Sequence, residues 1–144
     1  MSMPYTYQVD LQWKEGRLGQ LNSPELNTKI EVATPPEFDK GIAGIWSPEH
    51  LFTASIVSCF MTTFLAVAEY SKLEFERFDC QAKGILDKVE GKMQMTEVIL
   101  MPVLELKDEM DREKANKIMH KAEAACLISN SVKTAVRLEL PTLV

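Results

Sequence analysis

The stretch SPEHLFTASIVSCFMTTFLAVAEY, residues 47–70, determines the fold because it predicts a long apolar helix. Ser47 is a favourable N-cap, Pro48 suits the first helical position, and Glu49 places a negative charge near the positive end of the helix dipole. We expect the helix to run to about Lys72. It should be buried on most sides, because its own residues are apolar around nearly the whole circumference. A monomer covers such a helix poorly, which favours a dimer with helices packed across the interface.

The same stretch has to be weighed as a membrane span. Residues 51–68 carry no formal charge and reach the lower length limit for crossing a bilayer. They nevertheless include several Ser and Thr residues, and Glu49 and Glu69 bound them closely. We therefore expect a central core helix and no membrane contact.

Strands are predicted before this helix. Residues 5–13 alternate between apolar and polar side chains, which is typical of a half-buried strand. Shorter strands are expected over residues 18–22 and 28–33, and a glycine-bearing loop at residues 40–46 leads into the helix.

After the helix, residues 75–89 and 92–107 predict a β-hairpin with its turn at Glu90-Gly91. Pro102 indicates an edge strand or a bulge, since proline cannot donate to a strand ladder. A second helix should start near Asp111, and residues 134–140 predict a last strand. The inward face of that helix is expected to comprise Ala115, Ile118, Met119, Ala122, Ala125 and Cys126. This order of elements predicts an α+β fold.

Composition limits the possible classes of function. The 144 residues suit a single domain, residues 1–144. The net charge of −5, without clustered Lys and Arg, argues against a nucleic-acid surface. The start of the chain has neither the positive region nor the apolar region of a secretory signal, so a cytoplasmic protein is expected. Three cysteines, an odd number, do not suit a framework of structural disulfides.

Cys59 and Cys126 each lie in an apolar segment with helical spacing. If these segments pack together, the sulfurs meet and form a redox pair. If they do not, both residues are inert cysteines of the kind that fill protein cores. Cys80 lies in an alternating segment and is predicted to be a core residue of a strand.

The histidine spacing argues against a metal site. At about 100° per residue, His50 and Cys59 differ by roughly 180° around their helix, and His120 and Cys126 by about 240°. Neither pair can bind one ion from a common helix face. We predict no metal and no cofactor, and expect both histidines to be surface or capping residues.

Two motifs carry a resemblance to a known family. SPEHLFTASIVSCF resembles the N-P-E-x-L-F…C-F block of the OsmC/Ohr proteins, the osmotically induced and organic-hydroperoxide-resistance family. CLISNS, which begins at Cys126, resembles the second-cysteine motif of that family, usually C-P-V-S-N. Ser47 replaces the usual asparagine, and Leu127 replaces the usual proline. The order of elements and the chain length also fit, so the resemblance covers essentially the whole chain.

The resemblance implies an OsmC-like fold, an intertwined homodimer and a thiol peroxidase that reduces organic hydroperoxides. Cys59 would be the peroxidatic thiolate, and Cys126 the resolving thiol that closes a disulfide. An external dithiol, for example of the lipoyl type, would reopen that disulfide. Glu49 matches the family glutamate that orients an arginine toward the peroxidatic sulfur.

Physical reasoning adds a requirement for a cation near Cys59. Apolar surroundings raise the pKa of a cysteine, and Cys59 lies too far into its helix to benefit from the dipole. Arg17, the one arginine upstream of Cys59, is the candidate. Glu49 and Cys59 are about 15 Å apart along one helix, so a shared site requires Glu49 of a second subunit. The alternative function is a non-enzymatic OsmC-like dimer that binds a small apolar ligand or a protein partner.

Overall fold

The structure is a computed structural model that describes residues 4–144. The chain divides into two compact units, the first ending at Leu51 and the second comprising Phe52–Val144. The predicted single domain therefore stays a prediction. The order of strands and helices is that of an α+β fold, as the sequence predicted.

The first unit contains a three-stranded antiparallel sheet in the order β1-β2-β3. Its strands are β1 (Asp10–Glu15), β2 (Leu18–Asn22) and β3 (Ile30–Ala33). Gly16 in the turn between β1 and β2 has a φ of 51°, a conformation that glycine adopts without a steric penalty. The loop that follows β3 returns to it, because Val32 and Trp46 form a parallel bridge.

The prediction of a half-buried strand over residues 5–13 is wrong for the single chain. Strand pairing begins only at Asp10. The alternating apolar side chains of this segment are 65% to 86% exposed, and they are Tyr5, Tyr7, Val9, Leu11 and Trp13. The period-two pattern identified a surface that one chain does not cover.

The second unit is built on a long hairpin, β4 (Phe75–Val89) and β5 (Lys92–Leu106). Its turn residues Glu90 and Gly91 have φ values of 51° and 79°, as the two-residue hairpin turn requires. Two short strands, β6 (Ala135–Leu138) and β7 (Thr142–Leu143), pair in parallel with β5. The sequence predicted the hairpin and one terminal strand, but β7 is too short to give a recognisable pattern.

The edge position predicted at Pro102 holds only locally, because its strand as a whole is not an edge strand. Pro102 is buried on β5, which lies inside the sheet and pairs with β4 on one side. On its other side, β6 ends its pairing at Leu100 and β7 begins at Val103. Pro102 therefore falls in the gap between two short partner strands, where β5 has no ladder partner on that side.

Two helices accompany the sheet, α1 (Pro48–Tyr70) and α2 (Arg112–Ala125). The Ser47 cap predicted for α1 is confirmed, since the His50 backbone N–H donates to Ser47 Oγ at 3.1 Å. Short 3₁₀ helices, Glu109–Asp111 and Ser129–Ser131, precede and follow α2. On α2 the expected residues are buried except Ala125, which is exposed because the helix ends there and Cys126 is its C-cap.

One stripe of α1 packs on the hairpin. Its buried residues follow a four-residue spacing and are Ile56, Phe60, Phe64 and Ala68. Phe64 stacks on Phe78 of β4 with ring centroids 4.6 Å apart. The approach is close enough that a Cβ on Gly84 would lie 2.2 Å from Thr53 Oγ1, so the packing requires glycine there.

Burial of α1 on most sides is not achieved within one chain. Met61 and Leu65 on the face away from the buried stripe are 42% and 41% exposed. By length and composition α1 would also suffice to span a membrane, with a mean hydropathy of 1.9 and 22% of that window buried. Core helices of proteins without any membrane contact meet the same criteria, so they do not by themselves indicate a span.

Candidate active site: the cysteine pair of α1 and the loop after α2

Cys59 lies about three turns into α1, one position before the buried residue Phe60. Its side chain is half-buried, so it is partly accessible to solvent. Thr63, one turn further along, places its Oγ1 4.0 Å from the Cys59 sulfur. The helix thus supplies the thiol and one hydroxyl.

Cys126 ends α2 and starts the loop that carries the rest of the site. Its extended backbone, with φ −64° and ψ 115°, stops the helix, while its N–H still donates to Glu123 O at 3.3 Å. The Asn130 N–H returns to Cys126 O at 3.0 Å, and Ser131 Oγ donates to Leu127 O at 2.7 Å. These bonds fix residues 126–131 as a compact turn, and Cys126 is fully buried in it.

The two thiols influence each other's titration. Burial raises the pKa of the Cys59 thiol, but hydrogen bonds outweigh burial and bring its pKa below the ordinary value. The donors, in decreasing order of effect, are the Ile128 backbone N–H, the Cys126 thiol, the Thr63 hydroxyl and the Leu127 backbone N–H. Of the two thiols, Cys59 is therefore the one that loses its proton more readily.

The pKa of the second thiol, Cys126, is shifted in the opposite direction. Burial is the main reason why the pKa of Cys126 lies above its ordinary value. The Ser129 hydroxyl and backbone N–H lower this pKa, whereas the hydrogen bond to Cys59 and the Cys59 charge raise it further. When the pair loses one proton, the negative charge is therefore favoured on Cys59.

The predicted cation at Cys59 stays a prediction, because the single chain lowers this pKa by other means. All the groups that lower its pKa are hydrogen-bond donors, and within residues 4–144 no arginine or lysine is among them. Two of these donors are backbone N–H groups, which no side-chain pattern reveals. One sequence feature could have indicated such a donor, namely Leu127 in place of the usual proline, because proline has no N–H to donate.

Cys80 is confirmed as a strand residue of the core. It lies on β4 opposite Pro102 and packs against the hydrophobic cluster. Burial raises the pKa of Cys80 to about 11, although the Met101 backbone N–H acts to lower it. Its thiol donates to Gln81 O at 3.4 Å, so it takes no part in the pair.

The histidines have the surface and capping positions that were predicted. His50 is exposed, and its Nδ1 lies 2.7 Å from the Ser47 hydroxyl at the start of α1. His120 is exposed on α2, with Nδ1 2.9 Å from Asn116 O. In the part of the chain that the structure describes, no group of three or more His, Cys, Asp or Glu residues is arranged to hold a metal ion.

Comparison with known proteins shows which family this chain matches. The family model described as OsmC-like protein matches residues 39–141, which include both cysteines of the pair. The chain belongs to the OsmC-like protein family.

Relatives cover nearly the whole chain. The uncharacterized protein YmaD of Bacillus subtilis is 27% identical over 139 residues, covering 93% of this chain and 91% of that protein. The organic hydroperoxide resistance protein OhrB of the same organism is 26% identical over 126 residues, covering 87% and 89%. An OsmC-like protein of unknown function from Vibrio cholerae has the same fold, with a TM-score of 0.84, 25% identity and coverage of 98% and 100%.

Arg17 and Glu49, the other two predicted site residues, belong to the first unit. Arg17 is exposed in the turn between β1 and β2, where it lines a groove of about 250 Å³ together with Leu11 and Trp13. Glu49 is half-buried in the first turn of α1. Their roles in this OsmC-like protein stay predictions.

Proposed function

We propose that this protein is a thiol peroxidase that reduces organic hydroperoxides, with Cys59 as the peroxidatic thiol and Cys126 as the resolving thiol. The observation that carries the proposal is that Cys59 and Cys126 come near enough to affect each other's pKa, in opposite directions, with the Thr63 hydroxyl 4.0 Å from the Cys59 sulfur. The relative OhrB, named an organic hydroperoxide resistance protein, supports the class of substrate.

The chemistry proceeds in two steps. The Cys59 thiolate attacks the outer oxygen of the hydroperoxide, the O–O bond breaks, and the alkoxide takes a proton to leave as an alcohol. Cys59 is now a sulfenic acid. The Cys126 thiol loses its proton and attacks the Cys59 sulfur, so that an S–S bond forms and hydroxide leaves as water after gaining a proton.

A return to the dithiol needs two electrons from outside the chain. An external dithiol, for example of the lipoyl type, attacks the disulfide, forms a mixed disulfide and then closes its own ring to release both cysteines. In the proposal this takes place in the cytoplasm, where such reductants keep thiols reduced.

Arg17 and Glu49 enter the proposal as the resemblance gives them. Glu49 of a second subunit orients Arg17, and the guanidinium binds the peroxide oxygen and adds to the stabilisation of the Cys59 thiolate. Because hydrogen bonds already lower the pKa of Cys59 despite its burial, the arginine reinforces the thiolate and is not its sole cause. Arg17→Lys keeps a charge but loses the planar fork of donors, so peroxide consumption should fall while Cys59 alkylation changes little.

A homodimer is the assembly we propose. The apolar side chains of residues 5–13 and the outer face of α1 are exposed in one chain, and exposed apolar patches of this kind mark interfaces. β1 also lies at the edge of its sheet, with one side unpaired within the first unit. Sedimentation should give twice the 16.3 kDa chain mass, and a monomer at micromolar concentration would rule the assembly out.

Disulfide mapping tests the peroxidase proposal. Reduced protein is mixed with one equivalent of cumene hydroperoxide, quenched with an alkylating agent and digested for mass spectrometry. We expect a Cys59–Cys126 disulfide, and in Cys126→Ser a Cys59 sulfenic acid that dimedone traps. Cys80→Ser is the matched control and should form the same disulfide as the wild type.

A specific observation favours the alternative of a non-enzymatic dimer that binds a small apolar ligand. The groove beside Arg17 is lined by apolar side chains, among them Leu11, Trp13 and Val32. If hydroperoxide leaves all three thiols reduced, the peroxidase proposal is lost. Quenching of Trp13 fluorescence by a fatty acid would then support the binding function.

A further inference from the structure

The Ser129 hydroxyl is a buried polar group that neither the resemblance nor the comparisons assign. Its Oγ is shielded from solvent, and among residues 4–144 it has no hydrogen-bond partner of ordinary length, whether nitrogen, oxygen or sulfur. Ser129 lies within the turn that starts at Cys126 and that the Asn130 N–H closes on Cys126 O at 3.0 Å, and it acts to lower the pKa of the Cys126 thiol. A buried hydroxyl is costly to leave unsatisfied, so this O–H is available to a thiolate that forms on Cys126.

We propose that Ser129 is a positioning residue for the second step, in which its hydroxyl holds and stabilises the Cys126 thiolate that attacks oxidised Cys59. This inference rests on the proposed peroxidase function. The hydroxyl forms no bond with substrate and transfers no proton to it. It acts on the reaction through the sulfur of Cys126.

The state of Cys59 decides when this hydroxyl matters. Before reaction the Cys59 charge and its hydrogen bond hold the Cys126 thiol protonated, in addition to the effect of burial on its pKa. Oxidation of Cys59 to a neutral sulfenic acid removes that charge. The Ser129 hydroxyl and N–H then remain as the groups that favour the Cys126 thiolate, so Cys126 ionises only after it has a partner to attack.

The surroundings of Cys126 contain few groups that could produce the same pH dependence. On α1, Cys59 is the titratable group that affects it. In the described part of the chain no Lys, Arg, His, Asp or Glu side chain contributes to its titration. A change in pH profile caused by Ser129→Ala therefore reports on the hydroxyl.

The first experiment follows both steps separately. Reduced wild type, Ser129→Ala and the matched control Ser131→Ala are mixed with cumene hydroperoxide and quenched at intervals between pH 5.5 and 9. Ser131 lies on the same loop, but its hydroxyl donates to Leu127 O. We expect Ser129→Ala to form sulfenic acid at the wild-type rate and to close the disulfide about fivefold more slowly at pH 7, with the difference vanishing at high pH.

Two results would overturn the inference. One is disulfide closure by Ser129→Ala as fast as in the wild type. The other is a slowing that is equal at every pH, because it would indicate a packing defect. Ser131→Ala also loses a bond of this turn, so any slowing that it causes should be equal at every pH, unlike that of Ser129→Ala.

A second experiment is independent of peroxide chemistry. In the Cys59→Ser background, thiolate absorbance at 240 nm is titrated with and without Ser129→Ala. We expect the Cys126 midpoint to move to higher pH when the hydroxyl is removed, and an unmoved midpoint would contradict the contact. Absence of the disulfide in peroxide-treated wild type would remove the proposed function instead, so the two failures are distinguishable.

Discussion

The second unit contains two half-buried thiols, Cys59 on α1 and Cys80 on β4, whose surroundings have opposite effects. Burial raises the pKa of both. At Cys80 one backbone N–H opposes burial and the pKa reaches about 11, whereas at Cys59 four donors outweigh burial and the pKa falls below its ordinary value. The difference teaches that the turn after α2 lowers the Cys59 pKa more than the helix does, since three of the four donors belong to the segment 126–128 and only Thr63 to α1.

The largest expected effect is the difference in hydroperoxide consumption between variants of Cys59 and of Cys80. Cys59→Ser should reduce hydroperoxide consumption by about 10³-fold or more, because it removes the nucleophile. Cys80→Ser should leave the rate within about twofold, because the Cys80 thiol is protonated at neutral pH. Stopped-flow measurement with a dithiol reductant gives both rates. Equal loss in the two variants would break the comparison.

The next effect concerns reactivity without peroxide. Thiolate is the species that iodoacetamide alkylates, so a lowered pKa gives reaction at lower pH and a raised pKa delays it. With a pKa of about 11, roughly 10⁻⁴ of Cys80 is ionised at pH 7. Cys59 should react at least about 100-fold faster, as measured by mass spectrometry of quenched samples.

The pH profiles of the two alkylation reactions should also differ. Alkylation of Cys80 should rise with pH up to about 11, while alkylation of Cys59 should level off below the pH at which an ordinary thiol does. Similar profiles for the two cysteines would show that the donors around Cys59 have no effect.

The smallest effect tests a single donor. Leu127→Pro removes one N–H from the Cys59 sulfur, and the extended backbone of Cys126, with ψ 115°, tolerates a following proline. We expect alkylation of Cys59 at pH 7 to slow about fivefold, because its pKa rises when a donor is lost.

Leu127→Ala is the matched control for the proline variant. The Leu127 side chain is 66% exposed, and alanine keeps the N–H, so the alkylation rate should stay within about twofold of wild type. A proline variant as reactive as the alanine variant would exclude Leu127 as a donor and leave Ile128 as the main one.

Much of the fold was predictable because its signals are local. The cap at Ser47, the turn at Glu90-Gly91 and the alternation along β4 and β5 each depend on neighbouring residues. The failures were non-local. The strand of Pro102 lies inside the sheet because two separate short strands pair with one side of β5. The apolar side chains of residues 5–13 are exposed because no other part of the described chain packs over them.

The sequence by itself determined the order of elements, the family resemblance and the identity of the two cysteines that matter. Only the tertiary structure decided that Cys126 and the Leu127 and Ile128 N–H groups come near enough to Cys59 to lower its pKa. The physical reason is that every residue except proline has a backbone N–H group. Such a group affects a thiol only where the fold points it at the sulfur. That direction depends on where α2 ends and how the next turn is held against α1.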